Sequence, residues 1–459
     1  MDSLGAYILT FNCARTFVDV DLFATHFFNS LPHTANSSAS SQFSEPPELI
    51  VLCLEEIAPV AYAFLGGSYL EPYFHSFRHM VDKAVSKRWD ADTSYDILVR
   101  DNSGMTGLLV FARSDIVDRI SWIDSARVGF GFQQMGNKGA VGARLGYSTD
   151  GQPGNTVDLT FIAAHLAPME YAWEQRNKDW QTIVERLVFS REQDTKRRNV
   201  EAGDDSEESA ALLQEPNDRE TNNRGLFIPT TYLFLAGDLN YRTSNTLPLK
   251  GDHIRFPRFN ADPTSPQHYL QLLKGDQLTR EMRNSRCFQG FSEAPISFPP
   301  TYKYTSAARR AAREAADNGT SELQEWNWTS SRWPSWCDRI LYLDTPSWMK
   351  GGKKVQPHKY DSLPLFPTSD HRAVALSVSI PLDTIPLPRD IDPATDVRLA
   401  APFSVDPEWR SKRDTARTKE IVVGFLAYLV MTWEGNGVLL ASILGITGAW
   451  LVLGSVFDA

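Results

Sequence analysis

Up to about residue 380 the chain repeats one pattern: a short apolar run, rich in strand-forming residues, that starts or stops on an acid, an amide or a histidine. AYILTFN (6–12) ends on Asn12, and ELIVLCLEEI (48–57) carries Glu55 and Glu56 near its end. VDLTFIAAHL (157–166) reaches His165, and TYLFLAGDLNY (231–241) runs into Asp238 and Asn240. WCDRILYL (336–343) and HRAVALSVSI (371–380) open on Asp338 and His371. DILVRDNSGMTGLLVFARSD (96–115) reads as two strands about a glycine-containing turn. YAWEQRNKDWQTIVERLVF (171–189) has helical spacing instead, with Trp173, Trp180, Ile183, Val184 and Leu187 on a related face. The pattern predicts an α+β domain of packed sheets with helices outside. Strand ends and the loops that follow are where a rigid scaffold presents chemistry.

The formal net charge is −10, from 46 Lys and Arg against 56 Asp and Glu. That balance argues against a general nucleic-acid binder. The four cysteines, Cys13, Cys53, Cys287 and Cys337, form no C-x-x-C pair. A disulfide framework or zinc site is not expected, and a reducing compartment fits. No secretory signal is expected, since MDSLGAYILTFN lacks a basic segment followed by a long apolar one. Residues 30–47 read as a loop, the charged stretch 191–225 as disordered, and 306–325 as an exposed helix. The domain is therefore placed at 1–380, with a Pro-containing and then basic linker at 381–420. A hydrophobic tail follows at 421–457, in which Glu434 is the one charged residue.

Several short segments carry candidate chemistry. In Gly237-Asp238-Leu239-Asn240-Tyr241-Arg242 the Asp and Asn stand two apart, so in an extended chain their side chains share a face. Asp238 suits orientation or deprotonation of a water, and Asn240 suits donation to a phosphate oxygen. Taken alone, the segment reads equally as a strand ending in a turn. Asp338, in Pro334-Ser335-Trp336-Cys337-Asp338-Arg339, is placed to orient a histidine, or else forms a surface pair with Arg339. Ser369-Asp370-His371-Arg372 supplies a histidine beside an acid. A carboxylate after a buried strand, as in Leu54-Glu55-Glu56, suits a hard cation such as Mg²⁺, with Asn12 in support. Met135-Gly136-Asn137-Lys138-Gly139 offers flexible backbone and a lysine for phosphate.

In order along the chain, MGNKG (135–139), GDLNYR (237–242), PPTYKY (299–304), PSWCDRIL (334–341) and SDHRAV (369–374) resemble the inositol polyphosphate 5-phosphatase family, over about residues 5 to 380. The resemblance implies a DNase I-like endonuclease/exonuclease/phosphatase fold, with two packed mixed β-sheets flanked by helices. It implies Glu56 and Asn12 at a Mg²⁺ site, with Glu55 where the family usually has Gln. It further implies Asp238 positioning the attacking water, Asn240 and His165 on the scissile phosphate, His371 stabilising it, Asp338 orienting His371, and Asp370 in the adjoining network. Lys138 and Arg242 lie in matching segments and are expected to contact substrate. Tyr302, Lys303 and Arg332 are expected to read a neighbouring 4-phosphate. This chain departs from the family pattern at Ser330, where many members have Lys, and at Met169, where a second His is common.

The implied reaction is metal-assisted, in-line attack of water on the 5-phosphate of phosphatidylinositol 4,5-bisphosphate, giving the 4-phosphate. Cys337 has no basic P-loop around it, so a cysteine nucleophile is not expected. A soluble-headgroup phosphatase, a nuclease or sphingomyelinase, and an inactive membrane scaffold are the competing readings. Gly437 to Phe457 is uncharged and long enough to span a bilayer, which needs roughly 20 apolar residues. Glu434-Gly435-Asn436-Gly437 reads as a turn before it, and 421–433 as an interfacial run or half of a hairpin. Arg410, Lys412, Arg413, Arg417 and Lys419 lie on the proximal side, as cytosolic flanking charges do. The layout resembles tail-anchored fungal members on the cytosolic face of the endoplasmic reticulum. A chain ending near residue 407 is accordingly expected to be soluble and active.

Overall fold

The computed structural model describes residues 3–32, 45–89, 91–149, 151, 155–191, 224–319, 325–349, 351–388 and 390–457. The disorder expected at 191–225 falls almost wholly outside these residues. Two mixed sheets face one another. The first has six strands in the order β12-β13-β1-β2-β4-β3. These are β1 (Ser3–Asn12), β2 (Leu49–Glu55), β3 (Tyr95–Ser103), β4 (Thr106–Arg113), β12 (Gln356–Ser362) and β13 (Val374–Pro381). The second has seven, in the order β10-β11-β9-β7-β6-β5-β8. These are β5 (Ile120–Gly129), β6 (Gly139–Ser148), β7 (Thr156–His165), β8 (Ser190–Arg191), β9 (Thr231–Asp238), β10 (Phe291–Glu293) and β11 (Asp338–Leu343). The pairs β1–β2 and β7–β9 are parallel and the other ladders antiparallel. This is the fold class expected from the sequence.

Alternation along the strands builds the layers. On β1, Ala6 and Ile8 point into the core between the sheets, with Phe161 and Ala163 of β7 and Phe234 and Ala236 of β9. Tyr7, Leu9 and Phe11 point outward, under α1 (Val20–His26) and α3 (Glu71–Arg88), where they meet Phe23, Phe27, Phe77 and Val81. On the outer face of the second sheet, Ile162, Ala164, Leu233 and Leu235 receive α4 (Trp173–Arg186) through Trp180, Ile183 and Val184. The helix begins two residues later than the apolar spacing suggests, and Trp173 is half-buried beneath the guanidinium groups of Arg280 and Arg286. The expected exposed helix near 306 runs from Ser306 to Asp317.

Register brings the polar strand ends together. Asn12 of β1 pairs with Glu55 of β2. His165 of β7 pairs with Asp238 of β9, which in turn pairs with Asp338 of β11. Thr10 pairs with Val374 of β13, so His371 enters from the same end.

The 381–420 segment, expected as a linker, packs on the domain. Arg398 is buried and donates to the carbonyls of Thr231 and Asp344. Trp409, Ala416 and Glu420 are buried on α5 (Trp409–Met431), which runs along α2 (Val60–Leu65). At Gly424 a Cβ would stand 2.9 Å from Phe64 Cβ and 3.0 Å from Leu65 N, so this helix-to-helix approach requires glycine. The turn expected at 434–437 is corrected by the structure. The break falls at Thr432, and Glu434–Gly437 lie inside α6 (Trp433–Phe457). Thr432 is extended (φ −116°, ψ 154°), and its hydroxyl oxygen accepts the Gly435 N–H at 3.0 Å, so it caps the new helix. The two helices bend by 84°. Among the described residues no single helix is long and apolar enough to cross a membrane, whereas Trp409–Met431 and Trp433–Leu451 qualify as a bent pair.

Candidate active site

Asp238 lies at the centre of the converging strand ends and is buried. Its Oδ2 accepts Asn12 Nδ2 at 3.0 Å and lies 3.3 Å from His165 Nε2 and 4.0 Å from His371 Nε2. Its Oδ1 accepts the backbone N–H of Asn240 at 3.1 Å, where the chain turns through a left-handed residue (φ 57°). Burial alone would raise this carboxyl. The hydrogen bond and charge of His165, with His371 and Lys138 beyond, outweigh it and hold Asp238 far below the ordinary carboxylate range.

His371 is oriented from behind. Its Nδ1 lies 3.0 Å from Asp338 Oδ2, and Thr301 Oγ1 donates to the same oxygen at 2.6 Å. Burial lowers an imidazole, but the Asp338 carboxylate reverses that and lifts His371 to about 9. Burial also pushes the Asp338 carboxyl up, yet the imidazole is the stronger base and keeps the proton at neutral pH. The His371 backbone N–H donates to Ser369 Oγ, which donates to the Asn12 carbonyl at 2.6 Å, tying this segment to β1. His165 differs. Burial, then the neighbouring Lys138 charge, lowers it, while its contact with Asp238 pulls the other way. Lys138 Nζ stands 2.6 Å from its Nε2, and burial lowers that ammonium too.

The adjacent acids have opposite environments. Glu55 is buried, accepts Thr10 Oγ1 at 3.2 Å, and is pushed well up by burial and by Asp338 and Asp238. It stands where the resemblance expects a glutamine, whose hydrogen bonding a protonated carboxyl would imitate. Glu56 adopts a left-handed backbone (φ 45°) and is half-buried. Burial would raise it, but Arg15 Nε at 2.7 Å and the charges of His165 and Lys138 lower it, leaving an ionised oxygen donor. Ionised carboxylates at Glu56 and Asp238 fit a hard divalent cation. Asp238, Asp338 and His371 also present donor atoms within 4.8 Å of one another. Asn12 contributes by placement, since its Oδ1 accepts Ala14 N–H while its amide N–H holds Asp238.

The substrate candidates surround this centre. The guanidinium of Arg242 lies 4.4 Å over the Tyr302 ring, which stands 4.5 Å from the His371 ring. Arg242 Nε donates to the Asn240 carbonyl, and Asn240 Nδ2 donates to Leu166 O, fixing that loop. Lys303 pairs with Asp370 at 2.7 Å, and the Asp370 charge also acts on His371 beside it. Arg332 lies farther out, with Nη2 3.3 Å from Met169 Sδ. Cys337 is buried, and burial pushes its thiol well up, which suits no nucleophile at neutral pH. Arg15 and Thr301 escaped the sequence reading. Thr301 lies inside the quoted PPTYKY segment, so that match was the signal for it, whereas nothing near Arg15 marks it as the partner of Glu56.

A buried Asp–His–Asp–Asn set thus stands at one end of a mixed two-sheet sandwich. The sequence profile of Endonuclease/Exonuclease/phosphatase family 2 matches residues 9–377, and the chain belongs to that family. It is 29% identical over 269 residues to the type I inositol polyphosphate 5-phosphatase 13 of Arabidopsis thaliana, 58% of this chain and 21% of the relative. It is 27% identical over 332 residues to the polyphosphatidylinositol phosphatase INP53 of Saccharomyces cerevisiae, 72% of this chain and 23% of the relative. The chain thus spans about a fifth of the length of these curated relatives. Among solved structures, the inositol polyphosphate 5-phosphatase domain of SPsynaptojanin, in complex with inositol (1,4)-bisphosphate and calcium ion, superposes with a TM-score of 0.56 at 20% identity. That alignment covers 92% of this chain and 90% of the other, and shows a shared fold.

Proposed function

We propose that this protein is a Mg²⁺-dependent phosphoinositide 5-phosphatase that converts phosphatidylinositol 4,5-bisphosphate to phosphatidylinositol 4-phosphate. The observation that carries the reading is the ionised Asp238 carboxylate, held by Asn12 and His165 and facing a protonated His371. Asp238 orients the attacking water and draws its proton. The His371 imidazolium donates to the phosphoryl oxygens as charge builds on them, and Asp338 keeps it charged and aimed. Lys138 and one free amide hydrogen of Asn240 add donors on the same side. Glu56 and Asp238 would hold the metal, which when bound offsets charge on the phosphoryl group. Tyr302, Lys303 and Arg332 are assigned to the 4-phosphate, with Asp370 holding the Lys303 ammonium ready.

The exposed apolar surface of α6, with Leu444, Ile446 and Trp450 open to solvent, supports insertion of the tail into a membrane. The basic residues at the start of α5 support a cytosolic location of the domain, and the endoplasmic reticulum is the membrane proposed. Phosphate release from vesicles of phosphatidylinositol 4,5-bisphosphate, compared with free inositol 1,4,5-trisphosphate, tests the substrate. The lipid is expected to be preferred, and turnover of the free headgroup alone would replace the lipid reading with the soluble one.

A further inference from the structure

Glu420 lies on α5, beyond the family match that ends at residue 377, yet it is wired to the catalytic centre. It is buried, and its Oε1 accepts the Gly136 N–H at 2.7 Å. Its Oε2 takes Arg417 Nη1 at 3.1 Å. Arg417 donates onward to the carbonyls of Phe64 (2.7 Å) and Leu65 (2.9 Å), at the end of α2, where helix carbonyls lack internal partners.

From Gly136 two short routes lead inward. The Gly136 carbonyl accepts Met105 N–H at 2.8 Å, and the Met105 carbonyl accepts Ile57 N–H at 3.2 Å, one residue from Glu56. In the other direction Lys138 follows by two residues. Its carbonyl accepts the N–H groups of Phe130 (2.9 Å) and Gly131 (3.0 Å), and Gly131 N–H also meets the Met135 carbonyl at 3.0 Å. The 130–138 loop is therefore closed on itself and shifts as a unit. Against the turn between β3 and β4 it has little room, since a Cβ at Gly104 would stand 2.3 Å from the Gly136 carbonyl oxygen. At the loop's end the Lys138 ammonium meets His165, and His165 meets Asp238.

We propose that Glu420 is a positioning residue: by accepting the Gly136 N–H it fixes the 130–138 loop, and with it Lys138, against the Asp238–His165 centre. The docked helix that leads into the hydrophobic tail thereby sets the geometry of catalysis. This rests on the phosphatase reading of the site. Without the carboxylate, Gly136 N–H and Arg417 both lose a buried partner, and the loop relaxes towards whatever satisfies them. A displacement of about 1 Å at a phosphate-binding cation is enough to cost as much as ~10²-fold in rate.

The test uses the full-length protein in mixed micelles with a short-chain phosphoinositide. Glu420→Ala is expected to lower kcat/KM about tenfold, and Glu420→Gln, which keeps the accepting oxygen, to stay within about twofold. In a Lys138→Ala background Glu420→Ala is expected to add less than about twofold, because the cation that the loop positions is already absent. Hydrogen exchange at residues 130–138 is expected to quicken in Glu420→Ala and not in Glu420→Gln. The same loss in both backgrounds would mean that Glu420 does not act by positioning Lys138, and would overturn the proposal. So would unchanged exchange. If the wild type released phosphate from no phosphoinositide, the phosphatase reading would fail, and exchange alone would decide the positioning claim.

Discussion

At Asp238 and His371 the site keeps opposite charges about 4 Å apart in a buried setting, and each depends on a second partner to do so. His371 is raised to about 9 by Asp338, above the usual imidazole value of about 6.5. Its contribution to the stability of the metal-free protein is thus fully present below about pH 6.5 and is lost as pH rises through about 9. The gap corresponds to a few kcal/mol at most, on the order of 3. Asp338→Asn is expected to move the upper limb of the pH–rate profile down towards about 6.5, which NMR titration of the His371 ring would check directly. Glu55 has the opposite sign. Its carboxyl is raised by burial, so ionisation at higher pH costs stability, and Glu55→Gln is expected to gain about 1 kcal/mol at neutral pH with activity retained. A fall in both melting temperature and activity would show that Glu55 works as a carboxylate. Most of these residues were legible because each sits at the polar end of an apolar strand. Arg15 was not, because its contact with Glu56 depends on two loops, 41 residues apart, meeting only in the fold.

Strand alternation and the 171–189 helix were legible because both have simple periods. Trp180 fills the centre of the layer between α4 and the second sheet, and Trp180→Ala is expected to cost about 3–5 kcal/mol in denaturant unfolding. The C-terminal helices were harder to read. Gly435 and Gly437 look like turn residues, yet at Gly435 a Cβ would stand 2.0 Å from the Tyr428 carbonyl oxygen, so glycine there serves close approach across the 84° bend. The basic stretch 408–420 read as linker because its cations are numerous, while its docking residues Trp409, Ala416 and Glu420 are few and spaced along one helix face. Gly424→Leu forces a side chain into Phe64 and Leu65, with a cost of about 1–3 kcal/mol expected for overpacking. Protease cleavage between the domain and α5 should quicken in that variant. Equal cleavage would place α5 off the domain in solution.

On the scale of the whole molecule, the docking of α5 changes where the chain can be cut. A cut at 407 removes Glu420 and Arg417 together, so the soluble, active fragment expected from the sequence is expected to be about tenfold weaker than the full chain. A cut after Thr432 keeps α5 on the domain and removes α6. That fragment is expected to leave vesicles in a flotation assay and to retain turnover of a water-soluble substrate. The central claim remains the chemistry at Asp238. The most direct measurement is to supply the full-length protein with phosphatidylinositol 4,5-bisphosphate and Mg²⁺, then identify the product, alongside Asp238→Ala and excess chelator. One phosphate released with phosphatidylinositol 4-phosphate as product, silenced by chelator and reduced at least ~10²-fold by the substitution, is the expected result. Release of the 4-phosphate, or undiminished release in chelator or in Asp238→Ala, would contradict it.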